Sequence, residues 1–354
     1  MTTVIWDGDG HAMEDQAAIK KRLLPVHQRM AAFTLFPAFD HLKIPPGLLP
    51  EGSFRWDVGH ADWIDFLDRV GIEKTVLYPT LALTYGRVTN EDWAIDLARA
   101  YNGWIYESHL SKSPRLQAVG LLPMQDPDAA IEELRRVVND FGMCGAFLPS
   151  TGLKAHLGSK EYWPVYAEAE RLGCSLAVHG GLHSGLGFDD INFNAPAHAL
   201  GHPFGIVISL GGMLFNGVFD RFPKLRVGFL EAGAGWLIMA LERFTGSQQA
   251  IPPADPRGRY LKLQPGETIS DYMIRKIKAG QIFVGCEGDE PSLGYAVSMV
   301  GAEPFMYSSD FPHEVTPESC RHEIEELLER KDLSDDAKHA ILHGNAQRFY
   351  RRGI

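Results

Sequence analysis

Eight short apolar runs alternate with amphipathic segments along most of this 354-residue chain, and that rhythm restricts the fold more than any single motif. The runs are Val4-Ile5-Trp6, Thr75–Tyr78, Ala118–Leu122, Gly145–Leu148, Ser175–His179, Arg226–Glu231, Gln281–Val284 and Phe305–Tyr307. They are unbroken instead of alternating, as strands covered on both faces must be, and such sheets are parallel. Between them the apolar spacing turns helical. Trp63, Phe66, Leu67 and Val70 form one face ahead of Gly71, and Trp93, Leu97, Tyr101 and Trp104 form another after Asn90. Asp126-Pro127 supplies an N-cap and a first-turn proline to a helix whose inner face is Ile131, Leu134, Val138 and Phe141. Further helices are expected over 161–172, Phe204–Phe215, Trp236–Phe244 and Ile269–Ile277, and two close the chain, over Glu318–Arg330 and after Ser334.

Eight such units predict an α/β protein folded as a distorted (β/α)8 TIM barrel, one domain over residues 1–354 with C-terminal helices. A doubly wound sheet is the alternative, but no Gly-x-Gly-x-x-Gly follows a strand, and the P-loop pattern is absent. Residues 15–60, rich in Pro, His and aromatics, predict an insertion that serves as a lid. The stretch Leu182–Pro203, with His183, His198 and His202, predicts a second substrate-selecting loop whose histidines read as solvated, with ligation the lesser alternative.

Composition excludes several classes of function. The net charge of -11 argues against a nucleic-acid surface, which needs a clustered basic face. The four cysteines, Cys144, Cys174, Cys286 and Cys320, lie far apart and form neither a disulfide framework nor a thiolate zinc site. The N-terminus lacks the basic and apolar regions of a secretory signal, and no uninterrupted apolar run reaches the length of a membrane span. The expectation is a soluble cytoplasmic protein that acts on a small molecule, without nucleic-acid or membrane partners.

In a barrel of this kind the chemistry sits at the C-terminal ends of the strands. Asp9 and His11 follow the first run, His179 ends the fifth, Glu231 the sixth, and Asp310 follows the eighth; Glu287 follows the seventh. Each has an ordinary structural use: a turn for Asp9 and His11, a half-buried imidazole for His179, a helix N-terminal charge for Glu231, a turn cap for Asp310. Independent strands nevertheless deliver two imidazoles and two carboxylates to one mouth, a donor set suited to Zn²⁺ or another borderline divalent metal.

The motifs Asp7-x-Asp9-x-His11-x-x-Glu14, Val178-His179-Gly-Gly, Phe229-Leu-Glu231-x-Gly-x-Gly-Trp236, Ser309-Asp310-Phe-Pro-His313 and Gly344-Asn-Ala-x-Arg-Phe349 resemble the amidohydrolase-related family. This is the branch that contains aminocarboxymuconate semialdehyde decarboxylase and the resorcylate decarboxylases. The resemblance implies one divalent ion, zinc or manganese, held by Asp9, His11, His179 and Asp310. It implies that His313 orients a ligand or touches substrate, and that the protein is a homodimer. Two departures stand out. Asp9 occupies a position where relatives carry His or Glu, and Glu231 stands where many carry a catalytic histidine.

Three functions follow as expectations. The first is non-oxidative decarboxylation of a small aromatic or unsaturated acid, with Asp310 as proton carrier and Glu231 and His179 as further catalytic groups. The second is metal-dependent hydrolysis of an amide, lactone or C–C bond, with Glu231 or Asp310 as base. The third is non-catalytic binding of a metal or small molecule. Arg243 is a candidate for a substrate carboxylate, Glu14, His183 and Trp236 are candidates for supporting roles, and Trp6, Phe36, Phe54, Trp56 and Trp236 are candidates for an apolar pocket.

Overall fold

Strand after strand, the apolar runs are buried along their whole length, which only a sheet covered on both faces permits. The computed structural model describes residues 4–30, 34–38, 55–181, 185–188, 190–251 and 254–351. Its strands are β1 (Trp6–Ala12), β2 (Lys74–Pro79), β3 (Leu116–Leu121), β4 (Gly145–Pro149), β5 (Ser175–His179), β6 (Val227–Leu230), β7 (Ile282–Cys286) and β8 (Phe305–Tyr307). They lie side by side in chain order, each parallel to the next. The barrel closes through the segment that follows β8: Asp310 N–H donates to Asp9 O at 3.0 Å, and His11 N–H donates to Phe311 O at 2.7 Å. The expected (β/α)8 barrel is the observed fold.

The helices begin and end where the local chemistry dictates. Asn90 accepts a hydrogen bond from Trp93 N–H and caps helix Glu91–Ser108; Asp126 accepts from Asp128 and Ala129 N–H and caps helix Pro127–Asn139. Helix His60–Val70 stops at Gly71, whose φ of 90° is the left-handed conformation that glycine adopts without strain. Ser334 caps the helix after it as expected, accepting from Ala337 N–H.

At the opposite end from the site, the last helix, Asn345–Tyr350, plugs the barrel. Tyr350 Oη donates to Gly8 O at 2.5 Å and lies 2.6 Å from Tyr78 Oη, while Phe349 packs so tightly on β6 that a Cβ at Gly228 would meet its ring at 2.8 Å.

Three expectations need correction. β1 does not stop at Trp6; it runs on to Ala12 and carries the Asp-Gly-Asp-Gly-His motif within the strand. The described part of the 15–60 insertion lies on the barrel's flank. There Leu24 N–H and His27 Nδ1 both reach Asp96 Oδ2 on helix Glu91–Ser108, at 2.8 and 2.7 Å. Residues 31–33 and 39–54 of the expected lid, Phe54 among them, lie outside the described residues. Finally, the helix expected from Phe204 begins at Asn194 and runs to Phe215 through Pro203, so His198 and His202 are helical. At 22 residues and a mean hydropathy of 1.3 it is also apolar enough to cross a membrane, a length hidden in the sequence by interrupting Gly, Pro and His. Here 44% of its most apolar window is buried against the protein.

The tightest packing lies beneath the site. A Cβ at Gly10 would sit 2.4 Å from Trp63 Cη2 and 2.8 Å from both Asp7 Oδ2 and Thr75 Oγ1. Gly10→Ala is therefore expected to cost about 1–3 kcal/mol through overpacking, read as a lowered midpoint in urea denaturation with unchanged slope.

Candidate metal centre and active site

The register of β1 against β2 slips between Asp7 and Gly10, where one extra residue is accommodated as a bulge. Bulges re-aim side chains, and this one sits beside the site. Asp7 holds it in place. Its carboxylate accepts from Thr75 Oγ1 at 2.6 Å, from Ser309 N–H and Oγ at 2.8 Å each, and from Asp9 N–H at 3.2 Å. Burial pushes the Asp7 carboxyl up to about 6 against the pull of those four donors. Asp7 thus ties β1 to β2 on one side and to the segment after β8 on the other. Sequence reading passed it over because a carboxylate spent on structural hydrogen bonds looks like any other.

Two residues further on, the strand delivers Asp9 and His11 to the barrel mouth. His179 Nε2 lies 3.3 Å from Asp9 Oδ2, and His11 Nε2 lies 3.8 Å from Asp9 Oδ1 and 3.2 Å from Asp310 Oδ1. The backbone sets the tautomers. His11 Nδ1 lies 2.8 Å from Pro79 O and His179 Nδ1 lies 2.8 Å from Gly180 O. A carbonyl only accepts, so both Nδ1 atoms carry the proton and both Nε2 lone pairs face inward, the arrangement in which imidazoles ligate metals.

Asp9 Oδ1, His11 Nε2, His179 Nε2 and Asp310 Oδ1 are buried without hydrogen-bond partners, an expensive condition unless something else satisfies them. The ligand atoms of Asp9, His11 and His179 lie within 4.8 Å of one another, as do those of His11, Glu231, Asp310 and His313. Opposing burial, Asp9 and Glu231 raise His179 well above the ordinary histidine range, and Asp310 pushes His313 up to about 9. Against the same opposition, His313 and His11 hold Asp310 below the carboxylate range. The potential that draws protons onto these imidazoles is the one that a divalent cation satisfies in their place. The four predicted ligands fit a metal ion.

Among the described residues only three non-glycine positions have positive φ, and two of them are Glu231 (57°) and Asp310 (54°). Both follow a strand directly, and the left-handed conformation turns each carboxylate toward the mouth at a cost in backbone strain. Asp310 is fixed further by the next residue, Phe311, which stacks on Phe66 at 3.8 Å and meets Trp63 edge-on at 4.9 Å. Glu231 stands between two imidazoles: Oε2 is 3.0 Å from His179 Nδ1, and Oε1 is 3.4 Å from His202 Nδ1. Opposing burial, His202 and His179 hold its carboxyl well below the usual range. An imidazole therefore does stand at the end of β6, delivered by a helix that sequence reading took for a loop at this point.

The supporting residues divide. His313 Nδ1 lies 2.8 Å from Asp310 Oδ1, with its Nε2 3.1 Å from Thr80 Oγ1. Glu14 accepts from the N–H groups of Thr80, Leu81 and Ala82, at 3.1, 2.9 and 2.9 Å, so it braces the residue that braces His313. Burial pushes the Glu14 carboxyl up to about 7 despite these three donors. Trp236 is buried against Phe229 at the start of helix Gly235–Ala250. Arg243 is exposed on the same helix, roughly 12 Å along the axis from its start, and is not brought to the cluster. His183 lies outside the described residues. Of the expected pocket aromatics, Trp6 and Phe36 are buried and Trp56 is exposed.

The profile of the family described as Amidohydrolase matches residues 34–352. The chain belongs to the amidohydrolase family. Over 87% of its length, and 82% of the relative's, it is 25% identical to a 2-amino-3-carboxymuconate-6-semialdehyde decarboxylase of Dictyostelium discoideum. It is 26% identical to a gamma-resorcylate decarboxylase of Rhodococcus jostii, over 78% of this chain and 87% of that one. The solved structure of a dihydroxybenzoic acid decarboxylase from Polaromonas, with bound manganese and the inhibitor 2-nitroresorcinol, superposes with a TM-score of 0.72. It has 20% identity and covers 99% of this chain and 97% of that one. For this amidohydrolase, His179→Ala is expected to reduce bound metal at least tenfold, measured by elemental analysis. Chelation of the wild-type metal is expected to lower stability by about 3 kcal/mol if the ion was present at a hundredfold its Kd, read by thermal unfolding.

Proposed function

We propose that this chain is a metal-dependent non-oxidative decarboxylase of a small aromatic or unsaturated carboxylic acid. The observation that carries the reading is the Asp310–His313 pair, a carboxylate and an imidazole 2.8 Å apart at the open side of the metal centre. Replacing a carboxylate by hydrogen requires a proton at the carbon that loses CO2, and a hydrogen-bonded carboxylate–imidazole pair is a device for holding and passing one. The decarboxylases to which the chain is similar, over most of its length, support the same reaction class.

A divalent ion, manganese or zinc, held by Asp9, His11, His179 and Asp310 would supply the positive charge that anchors the substrate carboxylate. The protein's own groups do the rest. Asp9, His11 and His179 have side chains 3%, 0% and 0% exposed, so they hold and do not react; Asp310, at 25%, is the one of the four that substrate reaches. Asp310 gives a proton to the substrate carbon as the C–C bond breaks, and His313, hydrogen-bonded behind it, replaces that proton. A homodimer completes the proposal. It is supported by the exposed apolar side chains of Leu200, Phe204 and Ile208 along one face of helix Asn194–Phe215, and light scattering at micromolar concentration tests it.

The deciding experiment offers the manganese- and zinc-loaded protein a panel of hydroxybenzoates and unsaturated carboxylic acids, with amides and lactones alongside. Release of CO2 from at least one acid is expected; hydrolysis of an amide or lactone with no CO2 would replace this reading by the hydrolase. Asp310→Asn is expected to lower turnover by ~10²–10⁴-fold while the protein stays folded, and a variant that keeps a tenth of the activity would remove Asp310 from the proton path.

A further inference from the structure

We propose that His202 is a second catalytic residue, a general base for a hydroxyl group of the substrate, with Glu231 as its positioning residue; this rests on the decarboxylase reading above. His202 comes from helix Asn194–Phe215, and two close approaches seat that helix on the barrel. A Cβ at Gly180 would meet His202 Cβ and Cγ at 3.1 Å, so the glycine after His179 makes room for the imidazole. A Cβ at Gly205 would meet Ser150 Oγ at 2.8 Å, and Ser209 Oγ donates to Ser150 O at 2.8 Å, fixing the next turns of the helix on the end of β4. His202 is therefore placed by packing on two strand ends and not by a loop.

The orientation gives the role. Glu231 Oε1 faces Nδ1 of His202 at 3.4 Å. An ionised carboxylate there draws the imidazole proton to Nδ1 and leaves the lone pair on Nε2, on the far side of the ring, as in any carboxylate–imidazole base. Exposure points the same way. The His11, His179 and His313 side chains are 0%, 0% and 7% exposed, whereas His202 keeps 12% and Glu231 16%. Of the imidazoles in the described cluster, His202 is the most accessible to a small molecule.

Two carboxylate–imidazole pairs thus border the mouth, Asp310–His313 and Glu231–His202, and a hydroxy acid has work for both. His202 Nε2 takes the proton of a hydroxyl conjugated with the carboxyl-bearing carbon. The oxygen's electron pair forms C=O, the ring pair moves to the carbon, and Asp310 supplies that carbon's new proton. The C–C bond then breaks, its electron pair restores the conjugated system with the oxygen as anion, and CO2 leaves. His202 returns the proton to the oxygen, and solvent restores the proton given by Asp310. The balance is one carboxylate and one proton in, one C–H product and one CO2 out. The preferred substrate class is an acid with such a hydroxyl, not its methyl ether.

The test uses manganese-loaded wild type, His202→Gln, His202→Ala, Glu231→Gln and Glu231→Asp. The binding probe is 2-nitroresorcinol, a nitrophenol whose ionised form absorbs at longer wavelength than its neutral form. The absorbance gained on binding is expected to fall at least about tenfold in both His202 variants, with metal content and thermal unfolding unchanged. With 2,6-dihydroxybenzoate, kcat is expected to fall ~10²–10⁴-fold while KM stays within about threefold. Added imidazole is expected to restore part of the rate of His202→Ala but none of that of Glu231→Gln, and Glu231→Asp to retain more activity than Glu231→Gln. A His202→Ala protein that keeps the phenolate signal and a tenth of the rate, or that loses its metal, overturns the proposal, as does a wild type that gives no phenolate signal. If the signal depends on His202 while no acid of the panel loses CO2, the dyad stands and the decarboxylase reading falls.

Discussion

The seam that closes the barrel is the constraint on which everything at the mouth depends. β1 and the segment after β8 meet through two backbone hydrogen bonds and through the Asp7 carboxylate, which accepts from Thr75 on one side and Ser309 on the other. Those bonds place Asp9, His11 and Asp310 in contact although the chain between them runs nearly its whole length. A seam without Asp7 would leave Ser309 N–H unsatisfied in a buried position, which costs about 1–3 kcal/mol, and would free the strand that carries half the ligand set. The bulge at Asp7–Gly10 is part of the same device: it is tolerated because Gly10 has no side chain to collide with Trp63.

Around that seam the site separates holding from reacting. Asp9, His11 and His179 are sealed from solvent, their Nε2 lone pairs aimed inward by carbonyls that take the opposite N–H. Glu231 and Asp310 are aimed outward by backbone strain at strand ends, and each is paired with an imidazole from outside the strands. The strain is sustained by what surrounds it: Phe311 wedged against Phe66 and Trp63 behind Asp310, and two imidazoles astride Glu231.

Much of this was legible in the chain. Unbroken apolar runs at regular intervals predicted parallel strands, and His179, Glu231 and Asp310 were found at strand ends because a polar residue closing an apolar run is visible in one dimension. His313 was legible from its motif. What escaped did so for identifiable reasons. The start of helix Asn194–Phe215 was missed because Gly201, Pro203 and Gly205 read as breakers, and only packing on Ser150 and Gly180 makes them helical. Arg243 looked near Glu231 in sequence, but a helix carries it away at 1.5 Å per residue.

By itself, then, the sequence determined the strand–helix alternation, the barrel it implies and the residue types at each strand end, because periodicity and termination are local properties. Tertiary structure alone decided that Asp7 is a clasp and Asp9 a ligand, though both are Asp before Gly. It alone decided that an imidazole reaches the end of β6 after all, from a helix some thirty residues earlier. Both outcomes depend on distances between elements that no local pattern encodes: the stagger at a barrel seam, and the depth to which a glycine lets a neighbouring helix descend.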